Sequence, residues 1–183
     1  MKFLIAAVAL LAAPAAFAQT VPGDAPAKPV PAVPVTAPVA DPAITTVYAN
    51  ALGGAWQNWS FATVELSVDI GSPTRKPIKV SADGYKALYL HHAAFSTGPY
   101  RGISFLIQGT GTGGKVRVIA TAGGKPIEGK MRLVEVKAGG WTRVTASLAE
   151  LGAENIEIDG FWVQNDSGEP MPNFYVADIA LTV

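Results

Sequence analysis

The feature that most constrains the fold is a set of short runs in which apolar and polar residues alternate. Residues 64–70 give the clearest case, with apolar side chains at the even positions and Glu65, Ser67 and Asp69 between them. Successive side chains of a strand point to opposite faces, so this period of two predicts a strand with one buried face. Similar runs, separated by Gly- and Pro-containing turns, recur at residues 87–92, 103–108, 115–121, 131–136, 141–148, 158–165 and 174–182. The pattern predicts an all-β, two-sheet antiparallel sandwich or jelly roll.

One short segment carries a helical signal. Ser147 and Glu150 have the spacing of a capping box, in which each side chain accepts from the other residue's backbone N–H. The segment ends at Gly152, so we expect a single turn at most.

The first 18 residues have the organisation of a secretory signal peptide. Lys2 gives a positive start, Phe3 to Leu11 is apolar, and Ala16-Phe17-Ala18 is a small-residue cleavage site. The sequence therefore predicts a mature chain that begins at Gln19 and is secreted or periplasmic. The apolar run is too short to span a bilayer of about 30 Å, and no later run reaches ~20 residues, so no membrane span is expected. The chain has no cysteine, which excludes disulfides and a lipid-bearing cysteine.

Residues 19–46 are predicted to be a disordered linker. Half of the 14 prolines lie there, interleaved with Ala and Val. Each proline disfavours helix in the residue before it and cannot donate to a strand ladder, so an extended, polyproline-like segment is favoured over a strand. The segment is either a spacer or a disordered leader, and it leaves residues 47–183 as one domain with room for a full core.

Composition argues against several classes of function. Fourteen Lys and Arg balance 14 Asp and Glu, so nucleic acid is not expected as a partner. No cysteine nucleophile and no Gly-x-Ser-x-Gly elbow is present, and the glycine-rich run 109–114 lacks the lysine of a phosphate loop. Most carboxylates fall at outward or turn positions; the exceptions are Glu135, which shares parity with Met131 and Leu133, and the pair Glu157 and Asp159. We therefore predict that the protein is not an enzyme.

Strand parity nominates side chains for an open face of the sandwich. Trp56 and Trp59 are three residues apart, so a regular strand places them on opposite sides, and parity with Val64 assigns Trp56 to the core. Trp59, together with Phe61, is therefore expected to be exposed. A bulge between the two tryptophans would reverse this assignment. The same argument selects the aromatic and polar candidates Tyr89, His91, Arg117, Trp162 and Gln164.

Aromatic rings can cover the apolar C–H face of a sugar, while amide, guanidinium and imidazole groups bond its hydroxyls. Each nominated aromatic has the alternative of simple packing, and for Trp141, at a strand start, packing is the preferred interpretation. The adjacent His91 and His92 should point to opposite faces, so a zinc site is not expected.

Several motifs together resemble one family. The chain resembles the jelly-roll (galactose-binding-like) carbohydrate-binding modules of bacterial secreted proteins over residues 47–183. The segments that carry the resemblance are Val47-Tyr48-x-Asn50-x-Leu52, Gly54-x-Trp56-x-Asn58-Trp59-Ser60-Phe61, Tyr100-Arg101-Gly102-Ile103-Ser104-Phe105, Gly140-Trp141-Thr142-Arg143-Val144, Gly160-Phe161-Trp162-Val163-Gln164-Asn165 and Phe174-Tyr175-Val176-Ala177-Asp178-Ile179.

The resemblance implies a polysaccharide-binding function, and many members of the family also hold a structural calcium ion near the sandwich edge. Family members commonly end in a Tyr-x-Asp-Asp-Ile-like strand, and this chain has Ala177 in place of the first aspartate and Asn50 where an acidic residue is frequent. Asn50 and Asp178 are the candidate calcium ligands, because calcium accepts amide and backbone oxygens alongside carboxylates. The alternative is that no calcium is bound and Asp178 faces solvent.

Two functions from different classes follow from these observations. The first is an exported, non-catalytic glycan-binding protein that uses exposed aromatics on one sheet. The alternative is a structural or interaction protein of the cell envelope, with an envelope protein as partner. A line of solvent-facing aromatics favours the first and their burial favours the second, while a small enzyme would need two carboxylates converging in a groove.

Overall fold

A computed structural model describes residues 37–183. The predicted signal peptide and residues 19–36 of the predicted linker lie outside the described residues. Within residues 37–183 there are twelve strands and one helical turn, α1 (Pro42–Thr45). The strands are β1 (Thr46–Tyr48), β2 (Gln57–Asn58), β3 (Thr63–Glu65), β4 (Ile78–Ser81), β5 (Ala87–Ser96), β6 (Gly102–Gly109), β7 (Gly114–Ala122), β8 (Lys125–Pro126), β9 (Arg132–Val136), β10 (Thr142–Ser147), β11 (Glu157–Asn165) and β12 (Phe174–Thr182).

The strands form two six-stranded antiparallel sheets, which confirms the predicted sandwich. The first sheet has the order β10-β6-β12-β4-β3, and β1 also pairs with β12. The second has the order β2-β5-β11-β7-β8, and β9 also pairs with β7. Strands β6 and β7 follow each other in sequence but lie in different sheets, as do β11 and β12. These two connections therefore cross between the sheets.

The core lies between the two sheets and is built from the inward side chains that the period of two predicts. Trp56 is at its centre with 4% of its surface exposed, and its ring stacks on that of Phe161 at 6.4 Å between centroids. Tyr48 is buried as well, and its hydroxyl donates to the backbone oxygen of Lys76 at 2.7 Å and accepts from the backbone N–H of Ser67. The assignment of Trp56 to the core is thus confirmed.

The folded domain begins earlier than residue 47. Asp41 caps α1 by accepting from the N–H of Ala43, and Pro42 supplies the fixed φ that suits a first helical position. Ile44 packs on the core, and its carbonyl accepts from Nε1 of Trp56 at 3.1 Å. The last residues of the predicted linker are therefore ordered, because a capped turn and an apolar anchor hold them.

Two strand predictions were wrong in detail. The strand expected over 64–70 ends at Glu65, because Ser67 has a φ of 57° and turns the chain away from the sheet. In β9 the inward residues are Val134 and Val136, so Met131, Leu133 and Glu135 are exposed. Strand β9 carries apolar residues at both parities, so alternation alone did not identify its buried face.

The capping box is formed as expected. The N–H of Ser147 donates to the Glu150 carboxylate at 3.0 Å, and the N–H of Glu150 donates to the Ser147 hydroxyl at 3.1 Å. The Ser147 hydrogen bond is the main cause that lowers the pKa of Glu150, and nearby Arg132 lowers it further. The residues that follow form a single turn rather than a longer helix.

Candidate functional site: an aromatic cluster on the second sheet

Five ring-bearing side chains meet on the outer face of the second sheet. We call this group the aromatic cluster; it consists of Trp59, Phe61, Tyr89, His91 and Trp162. Trp59 and His91 lie face to face, with centroids 3.5 Å apart and planes 6° apart. Tyr89 contacts both of them edge-on and reaches Trp162 at 5.8 Å, and Phe61 meets Trp162 at 5.1 Å. The rings therefore form one continuous chain of contacts.

The loop after β2 positions the outermost rings. The N–H of Trp59 donates to the Tyr89 carbonyl at 2.9 Å, and Nε1 of Trp59 donates to Gln57 at 2.8 Å. Asn58 accepts from the Ser60 N–H, and the Ser60 hydroxyl accepts from the Tyr89 N–H at 3.0 Å. Trp59 is 51% exposed although its backbone and indole N–H are both fixed. Since His91 covers one face of its ring, the exposed area is the opposite face and the outer edge.

Tyr89 supports the cluster from within. The sequence predicted it as an exposed platform, but it is only 6% exposed. It lies between the flanking rings and over Gly160, where an added Cβ would come within 2.9 Å of Cε2 of Tyr89. Burial is the main cause that raises the pKa of the Tyr89 hydroxyl, which lies 3.4 Å from the Thr121 hydroxyl. Tyr89 therefore fixes its neighbours and offers little surface of its own.

A buried carboxylate holds the strands beneath Tyr89. Asp159, 6% exposed, occupies a bulge in β11 and accepts from the Thr121 hydroxyl and from the N–H of Gly124. These bonds tie β11 to β7 and to the turn that follows β7. The Asp159 carboxylate therefore has a structural role, and buried charges are normally hydrogen-bonded in this way.

A row of polar groups continues the surface along β11 and β7. Nε of Arg117 donates to the Gln164 side chain at 2.8 Å and lies 3.8 Å from the Asp166 carboxylate. The Arg117 guanidinium also lies over the ring of Tyr85 at 5.3 Å. The Gln164 amide in turn donates to the Tyr85 carbonyl at 2.6 Å. The row thus holds a half-buried cation and an exposed tyrosine next to the aromatic cluster.

The structure brings the six predicted ligand residues onto one face but divides their roles. Trp59 is exposed as expected, and Trp162, His91 and Arg117 are half-buried. Gln164 is 8% exposed with both ends of its amide bonded, so it orients Arg117 and Tyr85 instead of facing solvent, contrary to the prediction.

Sequence reasoning did not select Tyr85, Gln57 or Asp166. Tyr85 is exposed and has a φ of 56° in the turn before β5, so no strand parity applies to it. Strand parity could not identify Gln57, because its role is to accept a hydrogen bond from the indole N–H of Trp59. Asp166 could have been identified from the sequence, because it comes two residues after Gln164 and so continues the same face just beyond the end of β11.

Two ring nitrogens in the cluster are unpartnered among residues 37–183. Nε1 of Trp162 and Nδ1 of His91 are buried atoms with no hydrogen-bond partner there. Buried polar atoms nearly always have one.

The expected calcium ligands do not fit a metal ion. The side-chain oxygen of Asn50 accepts from the N–H of Lys76 at 2.7 Å, and its amide nitrogen donates to the Thr74 carbonyl. Asp178 pairs with Nε of Arg75 at 3.3 Å, and that guanidinium also lies over the ring of Trp141. A fixed cation already faces the carboxylate, so a second one would be repelled. Within residues 37–183 no group of three or more His, Asp or Glu side chains is placed to hold a metal.

Trp141 immediately precedes β10, a strand of the first sheet, so it is not part of the aromatic cluster. Its contact with the Arg75 guanidinium, at 5.1 Å, agrees with the packing role preferred from sequence. In the described part of the chain no helix is long and apolar enough to cross a bilayer.

Comparison with known proteins relates this architecture to carbohydrate-binding modules. The family 11 carbohydrate-binding module of a cellulosomal cellulase of Clostridium thermocellum is similar with a TM-score of 0.55 and 12% identity, over 75% of this chain and 92% of that chain. A family 29 carbohydrate-binding module gives a TM-score of 0.54 and 14% identity, over 76% of this chain and 89% of that chain. Another family 29 structure, complexed with mannohexaose, gives 0.51 and 16%, over 75% and 90% of the two chains. The chain therefore has the jelly-roll β-sandwich fold of these modules, which confirms the resemblance at the level of fold.

Sequence comparison adds one distant relative. An endoglucanase of Dictyostelium discoideum is 23% identical over 146 residues, which are 75% of this chain and 21% of that protein. The chain thus spans about a fifth of the length of the relative it matches. No protein-family model matches the sequence.

Proposed function

We propose that the protein is an exported, non-catalytic glycan-binding protein whose ligand lies on the outer face of the second sheet. One observation carries the proposal: Trp59 is half exposed, yet its position is fixed by His91 behind the ring and by Gln57 at the indole nitrogen. An exposed aromatic ring offers an apolar platform for the C–H face of a sugar. A rigid ring also binds without losing side-chain freedom.

The neighbouring groups supply what a sugar requires besides an apolar platform. Arg117 and Tyr85 offer donors and acceptors for hydroxyls beside Trp162. The fold similarity to carbohydrate-binding modules supports the same assignment.

The ligand that we propose to test first is a β-linked glucan or mannan. The distant relative is an endoglucanase, and one structural neighbour was solved with mannohexaose. The exposed ring face of Trp59 is a flat apolar surface on which a sugar of such a glycan can stack. Export follows from the signal-peptide pattern of residues 1–18, which lie outside the described residues.

The test is retention of the purified protein on cellulose, β-glucan and mannan, compared with Trp59→Ala. We expect wild type to be retained on at least one glycan and the variant to lose most of that retention. Trp141→Ala is the matched control, since it removes a tryptophan from the other sheet and should leave retention unchanged. Circular dichroism establishes that both variants fold.

Equal retention of wild type and Trp59→Ala would refute the role of the aromatic cluster. Absence of retention on every glycan would favour the alternative, an interaction protein of the cell envelope. The partner of the cluster would then be a protein surface.

A further inference from the structure

An exposed leucine lies on the same face of the second sheet as the aromatic cluster. Leu133 of β9 is 55% exposed, while its neighbour Val134 points into the core. Leu133 is opposite Arg117 of β7, and Arg117 is opposite Gln164 of β11. Residues that are directly opposite each other in an antiparallel ladder point to the same face. Leu133 is therefore an apolar side chain beside Arg117 on the outer face.

An exposed tyrosine also packs on Arg117. Tyr85 is 52% exposed, and the Arg117 guanidinium lies 5.3 Å from the centre of its ring. The backbone of Tyr85 has a φ of 56°, which is unusual for a bulky residue. It is held in this conformation because its N–H donates to the Ser167 carbonyl at 2.9 Å and its carbonyl accepts from the Gln164 amide. Unfavourable backbone conformations that the surroundings fix in this way cluster at functional sites.

The Arg117 guanidinium has hydrogen-bond donors to spare. In residues 37–183, Nε is the only one of its nitrogens with a hydrogen-bond partner, the Gln164 side chain. A guanidinium has five N–H groups, so the four on the two terminal nitrogens are available, and neither of these nitrogens is buried. The Tyr85 ring and the Asp166 carboxylate at 3.8 Å fix the position of the group. Arg117 therefore offers well-positioned donors to the hydroxyls of a ligand.

Arg117 is well separated from the exposed ring of Trp59. Trp59 stacks on His91, and His91 is opposite Gly160 of β11. Arg117 is opposite Gln164, which lies four residues further along β11, and belongs to the next strand of the sheet. At about 4.8 Å between strands and 3.3 Å per residue, Arg117 lies roughly 16 Å from His91, about the length of three sugars in an extended β-linked chain. One sugar therefore cannot contact Trp59 and Arg117 together.

We propose that Tyr85, Arg117 and Leu133 form a second sugar-binding subsite, so that the protein prefers a linear glycan of at least about four sugars. The inference rests on the proposed function, because Trp59 holds another sugar of the same chain. Arg117 donates to hydroxyls of the sugar in the second subsite, and Leu133 and the ring of Tyr85 contact its apolar C–H groups.

The second subsite gives the glycan a direction on the sheet. The chain crosses the strands diagonally, from Trp59 above β5, over β11 and β7, to Leu133 on β9. Trp162, which is half-buried on β11 between the positions opposite His91 and Arg117, contacts the sugars that join the two subsites. Each sugar beyond the first therefore adds contacts until the chain reaches β9.

Titration calorimetry with oligosaccharides of two lengths tests the second subsite. The probes are cellotriose, cellohexaose, mannotriose and mannohexaose. We expect wild type to bind the hexasaccharide of one glycan at least about tenfold more tightly than the matching trisaccharide, which is too short to cover Trp59 and reach Leu133.

Substitutions at the second subsite should act on the longer probe. Leu133→Ala should weaken hexasaccharide binding by about threefold to tenfold and change trisaccharide binding by less than about twofold. Arg117→Met should weaken hexasaccharide binding by about tenfold or more, because it removes the donors. Leu66→Ala is the matched control, since it truncates an exposed leucine just after β3 in the first sheet and should leave both affinities unchanged.

The outcomes separate the two proposals. Equal affinities for the two lengths, with Trp59→Ala still abolishing binding, would overturn the second subsite and leave the proposed function intact. The second subsite would also be overturned if Leu133→Ala left hexasaccharide binding unchanged or weakened the binding of both lengths equally. Failure of all four probes to bind would overturn both proposals. Circular dichroism of the variants excludes loss of fold as the cause of weaker binding.

Discussion

Gly160→Ala tests how tightly β5 and β11 are packed beneath the aromatic cluster. Gly160 follows the Asp159 bulge, and a Cβ there would overlap the carbonyl oxygen of Leu90, lie 2.9 Å from Cε2 of Tyr89 and lie 3.2 Å from Cα of His91. Relief of the overlap requires the backbone to move, because a carbonyl oxygen is not the end of a flexible side chain. Overpacking of this kind costs about 1–3 kcal/mol of the free energy of unfolding.

Urea unfolding is the appropriate assay for Gly160→Ala. A loss of about 2 kcal/mol with an m-value of roughly 2 kcal/mol/M lowers the midpoint by about 1 M, and the protein remains folded in buffer. The matched control is Gly140→Ala, since no atom lies within 4 Å of a Cβ built there and its φ is not positive. The control should stay within about 0.5 kcal/mol of wild type. Equal midpoints for the two variants would refute the argument, as would unchanged tryptophan fluorescence from the displaced cluster.

Three further measurements test other features. Asp159→Ala should lower the free energy of unfolding by about 2–4 kcal/mol, because the buried Thr121 hydroxyl loses a charged acceptor; an unchanged urea midpoint would contradict this. The pKa of Glu150 is lowered from the ordinary 4.5, so its stabilising contribution is present above that pH and is lost as pH falls through the folded-state pKa. Carboxyl NMR titration should place that pKa below 4.5 in wild type and slightly closer to 4.5 in Ser147→Ala, which removes the hydroxyl hydrogen bond but keeps the backbone N–H that is the main cause. Added CaCl₂ or EDTA should leave Tm unchanged, because Arg75 already pairs with the carboxylate at the sheet edge; a rise in Tm with calcium would show that the ion displaces it.

The period of two was sufficient for most of the sandwich because most strands have one apolar and one polar face. It placed Trp56 in the core and Trp59 in solvent, and no bulge intervened to reverse them. It failed at β9, where Leu133 and Val134 make both faces apolar. It failed again at Ser67, because a single positive φ ends a strand while the sequence alternation continues.

The candidate site was harder to predict than the fold, because its residues act through one another. Parity can assign a side chain to a face, but it cannot tell that Tyr89 is covered by its neighbours or that the Gln164 amide is bonded at both ends. The same limit applies to Asp178, because its carboxylate pairs with Arg75, a residue 103 positions away in sequence. Contacts over such separations are properties of the assembled sheets, and a periodic pattern does not encode them.

The position of β12 has a consequence for how the protein is made. The last strand of the chain lies inside the first sheet, paired with β6 and β4 and also with the first strand, β1. During synthesis that sheet lacks its middle member until residues 174–182 have left the ribosome, so β4 and β6 each keep an unpaired edge until then. The sheet should therefore assemble late and slowly, through contacts between distant parts of the chain. A chain truncated before residue 174 would leave both edges open and would be prone to aggregate.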